Sequence, residues 1–172
     1  MGPPVSFESE ATRHVVHIRR PVARLTGSAL ARFVTRACKA VKLKGAVNVM
    51  VTGSRELRSL NRRFRGKDKA TDVLSFPSGG PPLRDVAGDI AISADIASRN
   101  ARLLGHSPAE EVKILVLHGI LHLAGFDHER DRGEMARKEK QLRQQLGLPD
   151  GLIERSRASA RTRTRRARPR TR

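Results

Sequence analysis

Residues 107–128 read SPAEEVKILVLHGILHLAGFDH, and the fold depends on this stretch more than on any other. Ser107 precedes a proline, and Glu110 follows three positions later, which is the pattern of a helix N-terminus closed by a capping box. From Val112 onward nearly every side chain is apolar, so the predicted helix has no face suited to water. We therefore expect this helix to lie in the centre of the protein and to end at Gly125.

Patterns on either side of this helix predict an α+β fold. Short alternating or β-branched runs indicate strands, and apolar residues at helical spacing indicate further helices. We expect Gly45 to end the first helix, Ser54 to cap the second, and Leu57, Leu60 and Phe64 to form the apolar face of that second helix. The predicted strands are 14–19, 47–51, 71–76 and 89–93, the predicted helices besides the central one are 28–41, 54–64, 93–105 and 133–146, and a loop is predicted at 78–82.

The charge of the chain is large and unevenly distributed. Among 172 residues, 35 are Lys or Arg and 17 are Asp or Glu, which gives a formal net charge of +18. Residues 155–172 carry nine arginines and no acid. We expect one domain over residues 1–154 and then a disordered, arginine-rich tail, either a solubilising extension or an arm for a polyanion. With five Phe and no Tyr or Trp, phosphate contact is favoured over base stacking.

Cysteine content and hydropathy exclude other classes of protein. Cys38 is the only cysteine, so neither a disulfide framework nor a multi-cysteine metal site can form. The longest apolar runs are about four residues, too short to span a membrane, and the N-terminus has no apolar signal-peptide core. We expect a cytoplasmic protein without membrane contact.

Three histidines on and after the central helix form the clearest functional pattern. His118 and His122 are four residues apart and share one helix face, and a turn at Gly125 can bring His128 back to them. Three neutral imidazoles suit a divalent ion such as zinc and leave a fourth position for water. Metzincin proteases have the same spacing, but Gly119 stands where their catalytic glutamate would be, which argues against proteolysis. The remaining histidines lack this arrangement and are expected to be surface or loop residues without a role: His14, His17 and His106.

The string HGILHLAGFDH at 118–128 resembles the three-histidine signature of the YbeY family of bacterial endoribonucleases, also called rRNA maturation factors. Residues 65–77, RGKDKATDVLSFP, are similar to a second motif of that family, and residues 88–93 contain a third, Gly-Asp-Ile followed by Ile-Ser. The motifs occur in the family's order, and the resemblance extends over about residues 10–150. It does not include the arginine-rich tail.

The resemblance implies a zinc-dependent, single-strand-specific endoribonuclease, with one zinc ion per chain held by His118, His122 and His128. It also implies a small mixed β-sheet surrounded by helices, with the metal in a cleft, and a functional arginine at the position of Arg65. The implied roles are maturation of the 3′ end of 16S rRNA and ribosome quality control. The implied partners are rRNA in the small ribosomal subunit and, beyond it, ribosomal proteins or assembly GTPases.

The residues themselves agree with this assignment and leave some roles open. A guanidinium at Arg65 can pair with a phosphate and stabilise charge in the transition state; the alternative is a solvated surface arginine. Asp127 is either an orienting partner of a ligand histidine or a turn cap, and Asp72 and Asp89 either cap turns or support the cleft. No residue stands out as a general base. Four neighbours of Arg65 would hold the RNA backbone: Arg62, Arg63, Lys67 and Lys69.

Three functional hypotheses follow, and a zinc ribonuclease is the leading one. The second is an rRNA-binding assembly factor with a structural metal, which would lack an exchangeable metal-bound water. The third is a metzincin-like metallohydrolase of another substrate, such as peptide, which Gly119 and the net charge of +18 disfavour.

Overall fold

The computed structural model describes residues 14–79 and 86–149. Part of the predicted loop at 78–82 and the predicted tail at 155–172 lie outside the described residues. In chain order the elements are β1 (Val15–Ile18), α1 (Gly27–Val41), β2 (Ala46–Thr52), α2 (Ser54–Arg65), β3 (Val73–Pro77), β4 (Val86–Ser93), α3 (Ala94–Leu104), α4 (Pro108–Leu123) and α5 (Glu134–Leu146).

The four strands form one mixed sheet in the order β1-β2-β4-β3. β1, β2 and β4 are parallel, and β3 pairs antiparallel with β4 at the edge. The connection from β1 to β2 contains α1, because parallel neighbours need a crossover. The predicted α+β fold with a small mixed sheet surrounded by helices is confirmed.

The central helix α4 is buried as its composition predicts. It contacts α1, α3, α5 and the strands β3 and β4. Its N-terminus has the predicted capping box between Ser107 and Glu110. Burying one large aliphatic side chain stabilises a fold by about 1.5–3 kcal/mol, so the core holds this helix firmly. Seven of its apolar side chains have no exposed surface: Val112, Ile114, Leu115, Val116, Leu117, Ile120 and Leu121.

Helix α2 packs in a smaller cluster on the other face of the sheet. Leu57 is buried there with Leu74 and Ala91, and successive strand residues point to opposite faces. The predicted apolar face of α2 is correct for Leu57. It is wrong for Phe64, which lies on the last turn of the helix and is 57% exposed.

Two helix ends differ from the prediction. Lys42, with φ of 62°, ends α1 before Gly45, and its backbone N–H donates to carbonyl groups of the last turn. Ser54 is the first helical residue of α2, and Gly53 is the N-cap. A carboxylate from another element replaces the expected serine cap, since the Ser54 N–H donates to Oδ2 of Asp95 over 2.8 Å.

Candidate metal centre and adjoining cleft

Helix α4 and the turn after it bring three histidines together. His118 is buried and His122 is half-buried, and their Nε2 atoms are 3.2 Å apart. Gly125 has a φ of 90°, a left-handed conformation that favours glycine. The chain therefore turns back, and the ring centroid of the exposed His128 lies 5.3 Å from each of the other two.

These three imidazoles can bind one metal ion. One ring nitrogen of each lies within 4.8 Å of those of the other two. Burial lowers the pKa of His122, and the neighbouring rings of His118 and His128 lower it further. The His122 imidazole is therefore neutral at pH 7, which is the state that coordinates a metal. The predicted convergence of the three histidines is confirmed.

A buried carboxylate orients the most deeply placed histidine. Nδ1 of His118 lies 3.1 Å from Oε2 of Glu139 on α5, and Glu139 has no exposed surface. Arg143 accompanies it, with Nε 3.6 Å from the second carboxylate oxygen. Because the ring donates its Nδ1 proton to Glu139, the Nε2 lone pair is directed toward the other histidines. Sequence reasoning missed Glu139, although its spacing from the core residues Met135 and Leu142 places it on the apolar face of α5.

The aspartates with open roles accept hydrogen bonds in turns and strands, and two of them, Asp72 and Asp127, also line the space in front of the histidines. Oδ1 of Asp127 accepts the N–H of Glu129 over 3.0 Å, so the turn-cap interpretation applies. Oδ1 of Asp72 accepts the N–H of Val73 over 2.9 Å at the start of β3. Asp89 accepts a hydrogen bond from the side-chain amide of Asn48, one strand away, over 2.8 Å.

Arg65 opens on the same cleft as the histidines. The cleft has a volume of about 710 Å³, and its walls are the end of α2, the edge strand β3, the histidine face of α4 and the turn after it. Arg65 is exposed at the C-terminus of α2. A cation there and three imidazoles therefore face one space large enough for a ligand.

The loop after Arg65 is held in place by two contacts to α2. Nε and Nη2 of Arg58 each lie 2.8 Å from a carboxylate oxygen of Asp68, a two-point pair. The side-chain amide of the buried Asn61 donates to the backbone carbonyl of Lys69 over 2.8 Å. The acidic residue of the RGKD motif thus pairs with α2, and Arg65 lines the cleft.

Gly119 lies where α4 packs tightly against the sheet. A Cβ atom built there would lie 2.9 Å from Cδ1 of Ile90 and 3.0 Å from Oγ of Ser75. Position 119 therefore faces the sheet, where its small size serves packing. A glutamate at this position would point into β-strand side chains, which explains why the metzincin base has no counterpart.

Of the other histidines, His17 is exposed and His106 lies in the loop before α4, as predicted, but the side chain of His106 is buried. His106 is not a surface residue, because its side chain is only 8% exposed and its Nε2 lies 2.6 Å from the buried Glu111. Nδ1 of His14 accepts the N–H of Val47 over 3.1 Å, beside β2. Neither lines the cleft.

Comparisons with known proteins agree on one family. The family profile described as Endoribonuclease YbeY matches residues 11–147. The Koribacter versatilis protein named Endoribonuclease YbeY is 56% identical over 142 residues, which are 83% of this chain and 91% of the relative. Its namesake in Solibacter usitatus is 54% identical over 140 residues, 81% of this chain and 92% of the relative.

A solved structure shows the same fold. The solution structure of TM1509 from Thermotoga maritima aligns with a TM-score of 0.51 at 34% identity, and covers 77% of this chain and 89% of that protein. Within residues 14–79 and 86–149, none of the helices has the length and hydropathy needed to cross a bilayer.

Proposed function

This chain belongs to the endoribonuclease YbeY family, and from that premise we propose that it cleaves single-stranded RNA to mature the 3′ end of 16S rRNA and to support ribosome quality control. One observation carries the proposal for the site: three histidine nitrogens converge in a cleft that an arginine also lines. The proposal includes a cytoplasmic location and rRNA of the small ribosomal subunit as substrate. Ribosomal proteins or assembly GTPases are its proposed protein partners.

The proposed metal is one zinc ion, held by His118, His122 and His128. Zinc–nitrogen distances of about 2.0–2.1 Å in a tetrahedral site place two ligand nitrogens about 3.3–3.4 Å apart. The 3.2 Å between Nε2 of His118 and Nε2 of His122 fits that edge. When bound, zinc at such a site polarises a phosphoryl oxygen or lowers the pKa of a bound water.

The proposed role of Arg65 is to bind the phosphate that reacts. Its guanidinium can donate two parallel hydrogen bonds to phosphate oxygens and stabilise the charge that develops on them. Nearby cations bind the phosphates on either side. Arg65 thus contacts the reacting group directly, whereas Glu139 acts through His118.

The peptidase alternative has no support in the site. The metzincin base would stand at position 119, and that position faces Ile90 and Ser75 in the sheet. In the scaffold alternative the metal is only structural and this chain cleaves no RNA. It therefore predicts that neither removal of the metal nor substitution of Arg65 changes the cleavage measured in the assay.

Two variants measured side by side test the proposal. In His122→Ala we expect loss of both bound zinc and cleavage, because the buried helix offers no substitute ligand. In Arg65→Lys the positive charge remains but the two-point contact is lost. We therefore expect single-turnover cleavage to fall by about 10²-fold or more, with wild-type zinc content and only a small loss of RNA affinity.

The readouts are elemental analysis for zinc, binding to a single-stranded RNA, and its cleavage with and without chelator. Full zinc occupancy in His122→Ala would contradict the ligand assignment. Equal losses of binding and cleavage in Arg65→Lys would make Arg65 an ordinary phosphate contact, and unchanged cleavage would remove it from the site.

A further inference from the structure

We propose that Phe64, supported by Phe76, is a stacking platform for an unpaired RNA base next to the cleaved phosphate. The inference rests on the proposed endoribonuclease function and adds a base-recognition subsite to it. The scarcity of aromatic residues favours phosphate contact over stacking. However, three of the five phenylalanines line the one cleft that contains the histidines and Arg65: Phe64, Phe76 and Phe126.

The first argument is the position of Phe64. Its neighbours at helical spacing, Leu57 and Leu60, pack into or against the small cluster under α2, but Phe64 is 57% exposed. A single exposed apolar residue is ordinary on a protein surface. This one lies beside Arg65 on the wall of the cleft, so the aromatic surface and the proposed phosphate contact adjoin each other.

The second argument is that the Phe64 ring is supported on two sides. The centroid of Phe76 lies 5.2 Å away at an interplanar angle of 63°, an edge-to-face contact. Phe76 in turn packs against the cluster of Leu57, Leu74 and Ala91. Cζ of Arg63 lies 5.2 Å from the Phe64 centroid, within the range of a cation–π contact. The ring is therefore anchored to both the strand and the helix.

The third argument is charge. The last turn of α2 and the loop after it carry a run of cations, and the only acid among them, Asp68, is paired with Arg58. Phosphates are bound by such cations, and the unstacked bases between them need an aromatic or guanidinium plane. Phe64 with Arg63 offers both planes. The cations of this run are Arg62, Arg63, Arg65, Lys67 and Lys69.

The topology places this platform across the edge strand from the histidines. Leu74 faces the α2 cluster, whereas Oγ of Ser75 lies 3.5 Å from the Gly119 carbonyl of α4. The cleft thus borders both faces of β3, with Phe64 on one side and the metal centre on the other. An RNA chain that lies along the cleft therefore contacts both the histidines and Phe64.

An abasic series tests the platform. Single-stranded RNAs in which each nucleotide in turn lacks its base are bound to the full-length protein in the presence of chelator, which keeps binding independent of metal-dependent cleavage. In the wild type, we expect one or two positions at which base removal weakens binding by between about 5-fold and about 100-fold. Phe64→Ala should weaken binding of intact RNA by a similar factor and be insensitive to base removal at those positions.

Matched variants separate stacking from bulk and from folding. Phe64→Trp should retain the positional sensitivity, and Phe64→Leu, which keeps apolar volume without an aromatic face, should behave like Phe64→Ala. Leu103→Ala is the control, because Leu103 is 78% exposed on α3 and does not line the cleft. Its binding profile should match that of the wild type.

Different results would contradict the proposal of a stacking platform and the proposal of a nuclease function. Equal positional sensitivity in the wild type and in Phe64→Ala would overturn the platform, as would wild-type affinity in Phe64→Leu. If wild-type protein cleaves unmodified RNA but shows no sensitive position, the platform fails and the nuclease stands. If Phe64 controls a sensitive position in a protein that does not cleave, the platform stands and the nuclease proposal fails.

Discussion

At the scale of single residues, a buried carboxylate sets which nitrogen of His118 is available. Glu139 occupies the Nδ1 side of the ring, and Nε2 faces His122. Without that partner the neutral ring could carry its proton on either nitrogen, and only one tautomer presents Nε2 as a ligand. The carboxylate is thus a positioning residue that acts through a histidine.

Glu139→Gln should lower metal affinity while leaving the three histidines in place. The amide oxygen still accepts a hydrogen bond, but it lacks the charge that increases the basicity of the ring. Loss of such an outer partner costs about 10- to 100-fold in metal affinity or activity. Competition between the folded protein and a chromogenic chelator measures this loss.

Glu134→Gln is the matched control, because Glu134 is an exposed glutamate on the same helix and no hydrogen bond joins its carboxylate to the histidines. A metal affinity for Glu139→Gln equal to that of Glu134→Gln would contradict the positioning role. A fall in thermal stability alone, with unchanged affinity, would make Glu139 purely structural.

At the scale of elements, helix α2 depends on a cap from elsewhere in the chain. Asp95, at the start of α3, accepts the Ser54 N–H, and Arg20 pairs with its other oxygen over 2.6 Å. The hydrogen bond from the Ser54 backbone is the main reason that the pKa of Asp95 is lowered, and the charge of Arg20 adds to it. Because α2 carries Phe64 and Arg65, this cap orients one wall of the cleft.

Asp95→Ala should reduce the free energy of unfolding by about 1 kcal/mol at neutral pH, the usual cost of a lost N-cap. The pKa of Asp95 is lower in the folded than in the unfolded protein, so its stabilising contribution is fully present above the ordinary Asp pKa of about 3.9. It is lost as the pH falls through the lowered folded value. Urea unfolding from pH 7 down to pH 3 should therefore show the difference between wild type and variant shrinking.

Arg20→Ala removes the ion pair but keeps the cap, and exposed pairs contribute little. It should therefore destabilise the protein less than Asp95→Ala does. Equal losses would show that the ion pair and not the cap stabilises α2. A difference between wild type and Asp95→Ala that grows toward low pH would contradict any stabilising role of the Asp95 carboxylate.

At the scale of the whole molecule, most of the positive charge and the three histidines lie in different parts of the sequence. The histidines lie on a helix in a part of the chain that is slightly acidic, since residues 71–150 hold 10 basic and 12 acidic groups. The cations are concentrated in residues 1–70 and 155–172. The cleft lies where the first of these regions, through α2, meets the helix that carries the histidines.

Deleting residues 155–172 should weaken RNA binding and flatten its dependence on salt. The deletion removes nine positive charges, and each phosphate neutralised on a single strand contributes about 0.7 to the slope of log affinity against log salt. Affinities between 50 and 200 mM salt measure the slope. A full-length protein with the nine arginines replaced by serine is the matched control and should behave like the deletion. An unchanged slope in both would exclude the segment from RNA binding.

Much of the fold is readable from local sequence because local geometry produces it. The i, i+4 spacing places His118 and His122 on one face of any helix, and the Ser107 capping box closes within four residues. Gly125 supplies the left-handed turn that returns His128. The order of strands and helices follows from periodicities of two and 3.6 residues in the same way.

Contacts between distant segments are decided only when the chain packs. Glu139 and His118 are 21 residues apart, and Asp95 and Ser54 are 41 apart. No local period links such pairs. Local sequence indicates Asp127 as a partner of a ligand histidine and Ser54 as the cap of α2. In the folded chain, Glu139 and Asp95 have these roles. Phe64 lies on the apolar face by spacing, yet the α2 cluster ends before it. Burial is a property of the neighbours that the folded chain supplies, and a helical period states only which direction a side chain points.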